Sequence, residues 1–362
     1  MSHFILHCDL DCFFAAVEER DNPKYIGKPI VIGADPKEGK GRGVVSTCNY
    51  EARKFGLHSA MPISQAYKRC PHGIYLHPNF EKYHKASKEV MEIVNSYSDM
   101  FQQVSIDEAY IDITDKCINY KEVRDLAEKL KDEVQKKVGI TISIGCASTK
   151  SIAKIASDCN KPNGVTVVKP EYIKKFLGPM DITKIPGIGK KSKIYYNKKG
   201  IITIGDIINT PFHKMIQMFG KNGEWIYKIV NGFDDREVKE FNGDRKSISK
   251  ERTFYEDTDD FKVILTKLEE LNNKIHKKVI KNKIFYRTVT LKIRLQGFLT
   301  YTRSKSFAHH IQDKNKVMRV IVDLFNQFST MNKKVRLVGI KLSNLEKKSK
   351  ITQTTLLNYV LV

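Results

Sequence analysis

The sequence predicts several α+β modules strung on one chain of 362 residues rather than a single core. Three observations carry that expectation. The length by itself asks for about two or three domains. Short apolar strands alternate with amphipathic helices, and in places strands follow one another directly, which is the pattern of α+β sheets with helices on one face. The charge is also uneven: residues 1–168 hold 23 Lys and Arg against 22 Asp and Glu, residues 169–232 hold 12 against 4, and residues 246–345 hold 22 against 9. A nearly neutral body followed by two basic modules fits a catalytic part with attached grips for a polyanion, nucleic acid or an anionic membrane.

Element by element, "FILHCDLDCFF" reads as a strand over 4–10 that runs into a helix near Cys12, so that acids stand at the strand's end. "KPIVIGA" and "GRGVVSTCN" are two β-rich runs around a Gly- and Lys-rich turn at 35–43. "NFEKYHKASKEVMEIVNSYS" is amphipathic, with Tyr83, Val90, Ile93, Val94 and Tyr97 near helical spacing. "FQQVSIDEAYIDIT" is a strand pair, or a strand with a turn at its acids. A helix at 121–138, a strand at "GITISIGCAST" and a helix stopped by Pro162 and Gly164 follow.

"ITKIPGIGKKSKIYYNKKG" differs in kind. Pro186-Gly187-Ile188-Gly189 between helical patterns resembles a helix-hairpin-helix turn, whose backbone N–H groups meet a DNA phosphate with Lys190, Lys191 and Lys193 beside it. It is no Walker loop, because Lys190 is followed by Lys191 and not by Ser or Thr. Residues 233–245 are polar and mixed in charge, as a linker would be. The pattern then runs strand 248–256, helix 261–281, strand 286–296, strand 299–308, helix 314–328, strand 335–343, a ferredoxin-like βαββαβ module. Val289, Leu291, Ile293 and Leu295 alternate with Thr288, Thr290, Lys292 and Arg294, which makes one sheet face core and the other basic. Arg303, Lys305, Arg336 and Lys341 are expected to join that outer face as a DNA-backbone grip without matching acids.

The cysteines number seven, form no CxxC pair and include none after Cys159, so neither a disulfide framework nor a zinc knuckle is expected. The start "MSHFILHCDL" has no basic n-region, and no run nears the roughly 18 apolar residues of a membrane span. A reducing intracellular compartment is expected. Cys8 and Cys12, beside the acids, read as packing residues.

The acids decide the chemistry. Asp107 and Glu108 lie side by side in an otherwise half-apolar strand, and "DLD" adds Asp9 and Asp11. Adjacent residues face one site only if the strand bends or ends there. Carboxylates gathered at one sheet edge repel one another, and Mg²⁺ offsets that while leaving positions for phosphates and water. Two such ions activate a hydroxyl and stabilise a leaving pyrophosphate. A nucleotide cyclase uses similar carboxylates but needs no DNA-binding hairpin; a repair nuclease, or a DNA-binding protein with structural acids, remains open at this point.

"DLDCFFAAVEE", "NYEARKFGLHSAMP", "SIDEAYIDIT", "KIASDCNKPNG" and "IPGIGKK" resemble, in order and spacing, the motifs of the Y-family DNA polymerases, nearest the DinB or polymerase IV branch, over residues 4–345. The resemblance implies a right-hand polymerase: a ferredoxin-like palm at 1–10 and 78–168, small fingers at 11–77, a helix-hairpin-helix thumb at 169–232, a linker at 233–245, and a little finger at 246–345. It implies Asp9, Asp107 and Glu108, with the Leu10 carbonyl, as ligands of two Mg²⁺ ions, and leaves Asp11 outside that set. Tyr50, Arg53 and Lys161, with Thr47 a lesser addition, match triphosphate-binding residues. Phe14 matches the steric gate against a 2′-hydroxyl, where many relatives have Tyr. Gly187, Gly189, Lys190, Lys191, Lys292, Arg294, Arg303, Lys305 and Arg336 are the expected DNA contacts. The implied activity is low-fidelity, translesion extension of a primer on template DNA with dNTPs, by a cytoplasmic, monomeric prokaryotic enzyme without proofreading. Beyond residue 345, Gln353, Leu356 and Tyr359 stand at i, i+3 and i+6, similar to a sliding-clamp-binding box, with Val360 where a second aromatic is usual.

Overall fold

Strand β1 (Ile5–Leu10) is almost wholly buried on both faces, one lined by Leu6, Cys8 and Leu10 and the other by Ile5, His7 and Asp9, which suits a central strand. In the computed structural model, which describes residues 3–240, 245–328 and 333–347, it is the middle strand of a five-stranded sheet. The chain leaves it through a left-handed Cys12 into α1 (Phe13–Asp21). β2 (Ile30–Gly33), β3 (Val45–Cys48), α2 (Tyr50–Lys54), α3 (Ile63–Arg69) and β4 (Ile74–Leu76) then form a small excursion with its own sheet, in the order β3-β2-β4. Its core of Val31, Val45, Leu57, Met61 and Ile63 is separate from that of the main sheet.

The main sheet is completed by α4 (Phe80–Asn95), β5 (Met100–Gln103), β6 (Glu108–Asp112), α5 (Tyr120–Val138), β7 (Ile142–Ala147), α6 (Lys150–Ser157) and β8 (Val165–Val167), in the order β5-β6-β1-β7-β8. β6 and β7, joined by α5, flank β1, the split βαβ arrangement. α5 is helical because Val123, Ala127, Leu130, Val134 and Val138 recur on one face, all buried, while the Asn119 side chain caps the first N–H groups and Gly139 ends it at φ 76°. Each such aliphatic side chain contributes about 1.5–3 kcal/mol when fully buried. α6 rides directly on β7: a Cβ on Gly145 would stand 2.0 Å from the Ala153 carbonyl. It ends at Ser157, before the Pro162 expected to stop it.

α7 (Ile173–Leu177), α8 (Lys190–Asn197), α9 (Ile204–Asn209) and α10 (Phe212–Val230) follow. Ile182, Ile185, Tyr196, Ile204 and Ile226 join α6 in one core. The segment after them is not the free linker that its polar composition suggests. Asp234 accepts from the Ser151 backbone N–H at 3.2 Å and hydroxyl at 2.8 Å, the Lys150 ammonium donates to the Glu237 carbonyl at 3.2 Å, and Val238 is buried. Residues 234–238 are strapped to the start of α6.

The chain divides into two compact units at Phe241. The second contains β9 (Ser247–Thr258), α11 (Phe261–Lys281), β10 (Ile284–Leu295), β11 (Thr300–Ile311), α12 (Lys314–Asn326) and β12 (Val335–Lys347), the expected βαββαβ order. Its sheet runs β11-β10-β12-β9, all antiparallel, so each helix-linked strand pair flanks a third strand. Among the described residues, no helix is long and apolar enough to cross a membrane.

The charge placement on this unit differs from expectation. Lys292, Arg294 and Lys341 do lie on the open face, with Lys341 paired across from Thr290. Arg303 stands opposite Leu291 and Lys305 opposite Val289, so both share the helix side. There Arg303 lies 5.3 Å from the Phe328 ring centroid, and Lys305 is 3.9 Å from Asp323 of α12. The cations have acid partners as well: Lys292 pairs with Glu251 at 2.5 Å and Arg336 approaches Asp257 at 3.7 Å.

Candidate active site

The register of β1 against β6 builds the acidic centre. Asp9 and Glu108 are directly opposed on neighbouring antiparallel strands and so face the same side. The Leu10 N–H donates to the Asp107 carbonyl at 2.9 Å, which ties the two segments together where the strands end. β6 begins only at Glu108, and Asp107 lies in the bend before it. Among the described residues, ligand atoms of Asp9, Glu108 and His7 all lie within 4.8 Å of one another. The Asp107 carboxylate is outside that group and accepts from the Ser105 hydroxyl at 2.5 Å.

Each clustered acid already carries a cation. Lys161 Nζ is 2.7 Å from Asp9 and 2.8 Å from Asp158, and Lys154 Nζ is 2.6 Å from Glu108. Burial pushes the Asp9 carboxyl up to about 6 against the pull of Lys161, whereas His7 and Lys154 beside Glu108 hold it down at about 2. Burial holds the His7 imidazole below its ordinary range. A pair of partly buried carboxylates that gathers two ammonium groups, next to a buried imidazole nitrogen without a hydrogen-bond partner, fits a divalent cation.

The expected triphosphate-binding residues are assembled around Asn49 and Asp11. Asn49 Oδ1 accepts from the Ala52 N–H at 3.0 Å and so caps α2, the helix that presents Tyr50 and Arg53. The Arg53 guanidinium lies 4.7 Å from the Tyr50 ring centroid, and its Nε donates to the Cys48 carbonyl at 3.3 Å. Thr47 is half-buried on β3 next to them. Asp11 is a structural acid. It accepts from the Tyr50 hydroxyl at 3.4 Å, the Ser143 hydroxyl at 2.8 Å and the Asn163 backbone N–H at 2.8 Å. It thereby fixes the start of α2 and the loop bearing Lys161 to the end of β1.

Phe13 lies in the core, and Phe14 is half-buried. Phe14 stacks on Tyr83 at 4.3 Å and 10°, with Phe80 edge-on at 5.8 Å. The Tyr83 hydroxyl is anchored by Glu18 at 2.9 Å, so the exposed ring edge rests on a fixed support. In the hairpin, Gly187 has φ 95°, Gly189 caps α8, and Lys190 and Lys191 are exposed, but Lys193 is held by Asp181 at 2.5 Å. Gln353, Leu356 and Tyr359 lie outside the described residues.

Sequence reasoning passed over Asn49, Lys154 and His7. His7 alone left a signal, since it shares strand parity with Asp9.

Comparison with known proteins decides the family. Residues 8–158 match the impB/mucB/samB family, 245–356 its C-terminal domain and 170–193 the IMS family HHH motif. A DNA polymerase IV of Methanoculleus marisnigri is 41% identical over 345 residues, 95% of each chain. The chain belongs to the Y-family DNA polymerases, in the DinB branch. A solved Y-family chimera, Dbh-Dpo4(243-245)-Dbh, is similar with a TM-score of 0.85 and 33% identity, covering 95% of this chain and 99% of that one. An insertion ternary complex of Dbh DNA polymerase gives 0.62 and 32% over 95% and 99%. Membership makes this polymerase a translesion-type DNA-directed DNA polymerase that depends on a divalent metal ion, and the cyclase and nuclease readings gain no support.

Proposed function

We propose that this polymerase extends a primer 3′ end on template DNA, with Asp9, Asp107, Glu108 and the Leu10 carbonyl holding two Mg²⁺ ions. The observation that carries the reading is the in-register pair Asp9 and Glu108, each already bearing a lysine ammonium at the end of one sheet. Bound there, the ions supply activation of the 3′-hydroxyl and charge neutralisation on the leaving pyrophosphate. The protein's own groups bind and orient. With Asp9 engaged in holding an ion, Lys161 would be available to the triphosphate, where Arg53 and Tyr50 would meet it from α2. Asp107 would exchange its Ser105 contact for a place in the site. Phe14 lies under the incoming sugar, and its stack on Tyr83 keeps it from yielding to a 2′-hydroxyl.

In this reading residues 1–10 and 78–168 are the palm, 11–77 the fingers, 169–232 the thumb and 246–345 the little finger. Duplex DNA is met by the hairpin of Gly187, Gly189, Lys190 and Lys191 and by Lys292, Arg294 and Arg336. The enzyme acts as a cytoplasmic monomer of low fidelity, recruited by a sliding clamp through Gln353, Leu356 and Tyr359. Primed template incubated with dNTPs and Mg²⁺ tests the reading: extension supports it, while degradation or no reaction overturns it.

A further inference from the structure

Helix α6 carries cations to the acids, yet its own start lacks a cap. Lys154, on its second turn, meets Glu108 at 2.6 Å, and the chain leaves the helix into the turn whose Lys161 meets Asp9 at 2.7 Å. At the other end, among the described residues, the N-cap Thr149 makes no side-chain capping bond, and its buried hydroxyl has no hydrogen-bond partner. The first turn has no acid and begins with Lys150, a cation at the positive end of the helix dipole. Only the eight residues Lys150–Ser157 are helical, so propensity adds little and the condition of the end matters.

The missing cap comes from elsewhere in the chain. Asp234, 83 residues after Ser151, sets a side chain that is 3% exposed against the first turn, where Oδ2 accepts from the Ser151 N–H at 3.2 Å and from the Ser151 hydroxyl at 2.8 Å. Arg236 holds that carboxylate in place, with Nε on Oδ1 at 2.7 Å and Nη2 donating to the Ser151 hydroxyl at 2.6 Å. The Lys150 ammonium is drawn aside by the Gln102 side chain and the Glu237 carbonyl. A carboxylate at this point does what an N-cap Asp does: it accepts from an orphan N–H and offsets the dipole.

We propose that Asp234 is a positioning residue for nucleotide insertion, which caps α6 in place of Thr149 and so fixes Lys154 and Lys161 against Glu108 and Asp9. The inference rests on the reading that Lys161 serves the triphosphate. A shift of about 1 Å in such a group lowers the rate by up to about 10²-fold.

Single-nucleotide insertion is measured on primed template with Mg²⁺ for the full-length wild type, Asp234→Ala and the double variant Asp234→Ala/Thr149→Asp, with primer-template affinity read in parallel by fluorescence anisotropy. In Asp234→Ala, kcat/KM for dNTP should fall about tenfold, mostly as a higher KM, while primer-template affinity stays within about twofold. Thr149→Asp supplies a cap locally without restoring the contact to residue 234, so the double variant should return to within about threefold of wild type. Insertion by Asp234→Ala within about twofold of wild type, or a loss that Thr149→Asp leaves unrepaired, overturns the inference. So does a fall in DNA affinity with unchanged dNTP kinetics, which is what a strap serving only as a tether would give. Lys161→Ala with an unchanged KM for dNTP overturns the triphosphate reading instead, a result independent of the double variant. Should Asp234→Ala fail to fold, Asp234→Asn, which keeps an acceptor oxygen without the charge, is compared with and without Thr149→Asp and judged by the same recovery.

Discussion

Replacing Asn49 by Ala removes four hydrogen bonds from one buried amide. Its Oδ1 accepts from the Ile30 N–H at 2.9 Å and the Ala52 N–H at 3.0 Å, and its Nδ2 donates to Glu19 and to the Lys28 carbonyl, both at 2.7 Å. Losing the helix cap costs about 1 kcal/mol. Leaving the buried Ile30 N–H unmet costs about 1–3 kcal/mol, while the Lys28 carbonyl, on an exposed residue, is reached by water. With the cap, we expect a loss of about 2–4 kcal/mol. Because the cap orients the helix that carries Tyr50 and Arg53, function falls too. Losing one charge-assisted contact to the triphosphate, about 1.5–3 kcal/mol, lowers kcat/KM for dNTP about 10- to 100-fold. Guanidinium unfolding followed by Trp225, the chain's single tryptophan and a residue of the first unit, measures the stability term. Single-nucleotide insertion measures the other. Asn49→Asp keeps the cap but sets a carboxylate against Glu19, and should fall between Asn49→Ala and wild type. A loss below about 1 kcal/mol in Asn49→Ala, with an unchanged KM, would refute the view that this amide builds the phosphate side.

Phe14→Ala should raise the rNTP/dNTP ratio of kcat/KM by about 10²-fold with a modest fall in dNTP use, and an unchanged ratio would place the gate elsewhere. Asp9 has its carboxyl raised from 3.8 to about 6 by burial, so its stabilising protonated form is complete below pH 4 and lost as pH rises through 6. Metal-free Asp9→Asn should therefore be more stable than wild type at pH 7.5, by at most about 3 kcal/mol, with the advantage gone at pH 4; a pH-independent difference in Tm would contradict this. Deleting residues 353–362 should leave synthesis on short primers unchanged and abolish stimulation by the cognate clamp on long templates, and equal stimulation would reject the clamp proposal.

Much of the fold was legible because the periodic signals were strong. α11 begins and ends at Phe261 and Lys281, where the apolar spacing puts it, with Asp260 capping. For β5 and β6 the sequence allows a strand pair or a strand with a turn at its acids, and only their mutual register places the bend at residues 104–107. The faces of Arg303 and Lys305 were misread because charge was followed instead of register. The connection Gln296–Leu299 sets which residues of β11 oppose Leu291 and Val289, and a shift of one residue exchanges the faces. The strap at 234–238 hid behind composition: its one anchoring apolar residue, Val238, sits among charges, and the Asp234–Ser151 contact joins residues 83 apart. At the site, Asp9, Glu108 and Phe14 announced themselves by motif and alternation. Asp11 and Asn49 did not, because their work is done by hydrogen bonds across 152 and 21 positions of sequence.

The central claim is that the acids at the end of this sheet hold the ions for nucleotidyl transfer, and Asp107 tests it most sharply because its carboxylate lies on Ser105 and not in the cluster. The measurement is single-nucleotide insertion by Asp107→Ala at saturating dNTP and Mg²⁺, with primer-template affinity read in parallel by fluorescence anisotropy. The account predicts that insertion falls by about 10³-fold or more while DNA affinity stays within about threefold, since the basic modules carry the grip. Insertion retained above about a tenth of wild type would contradict it.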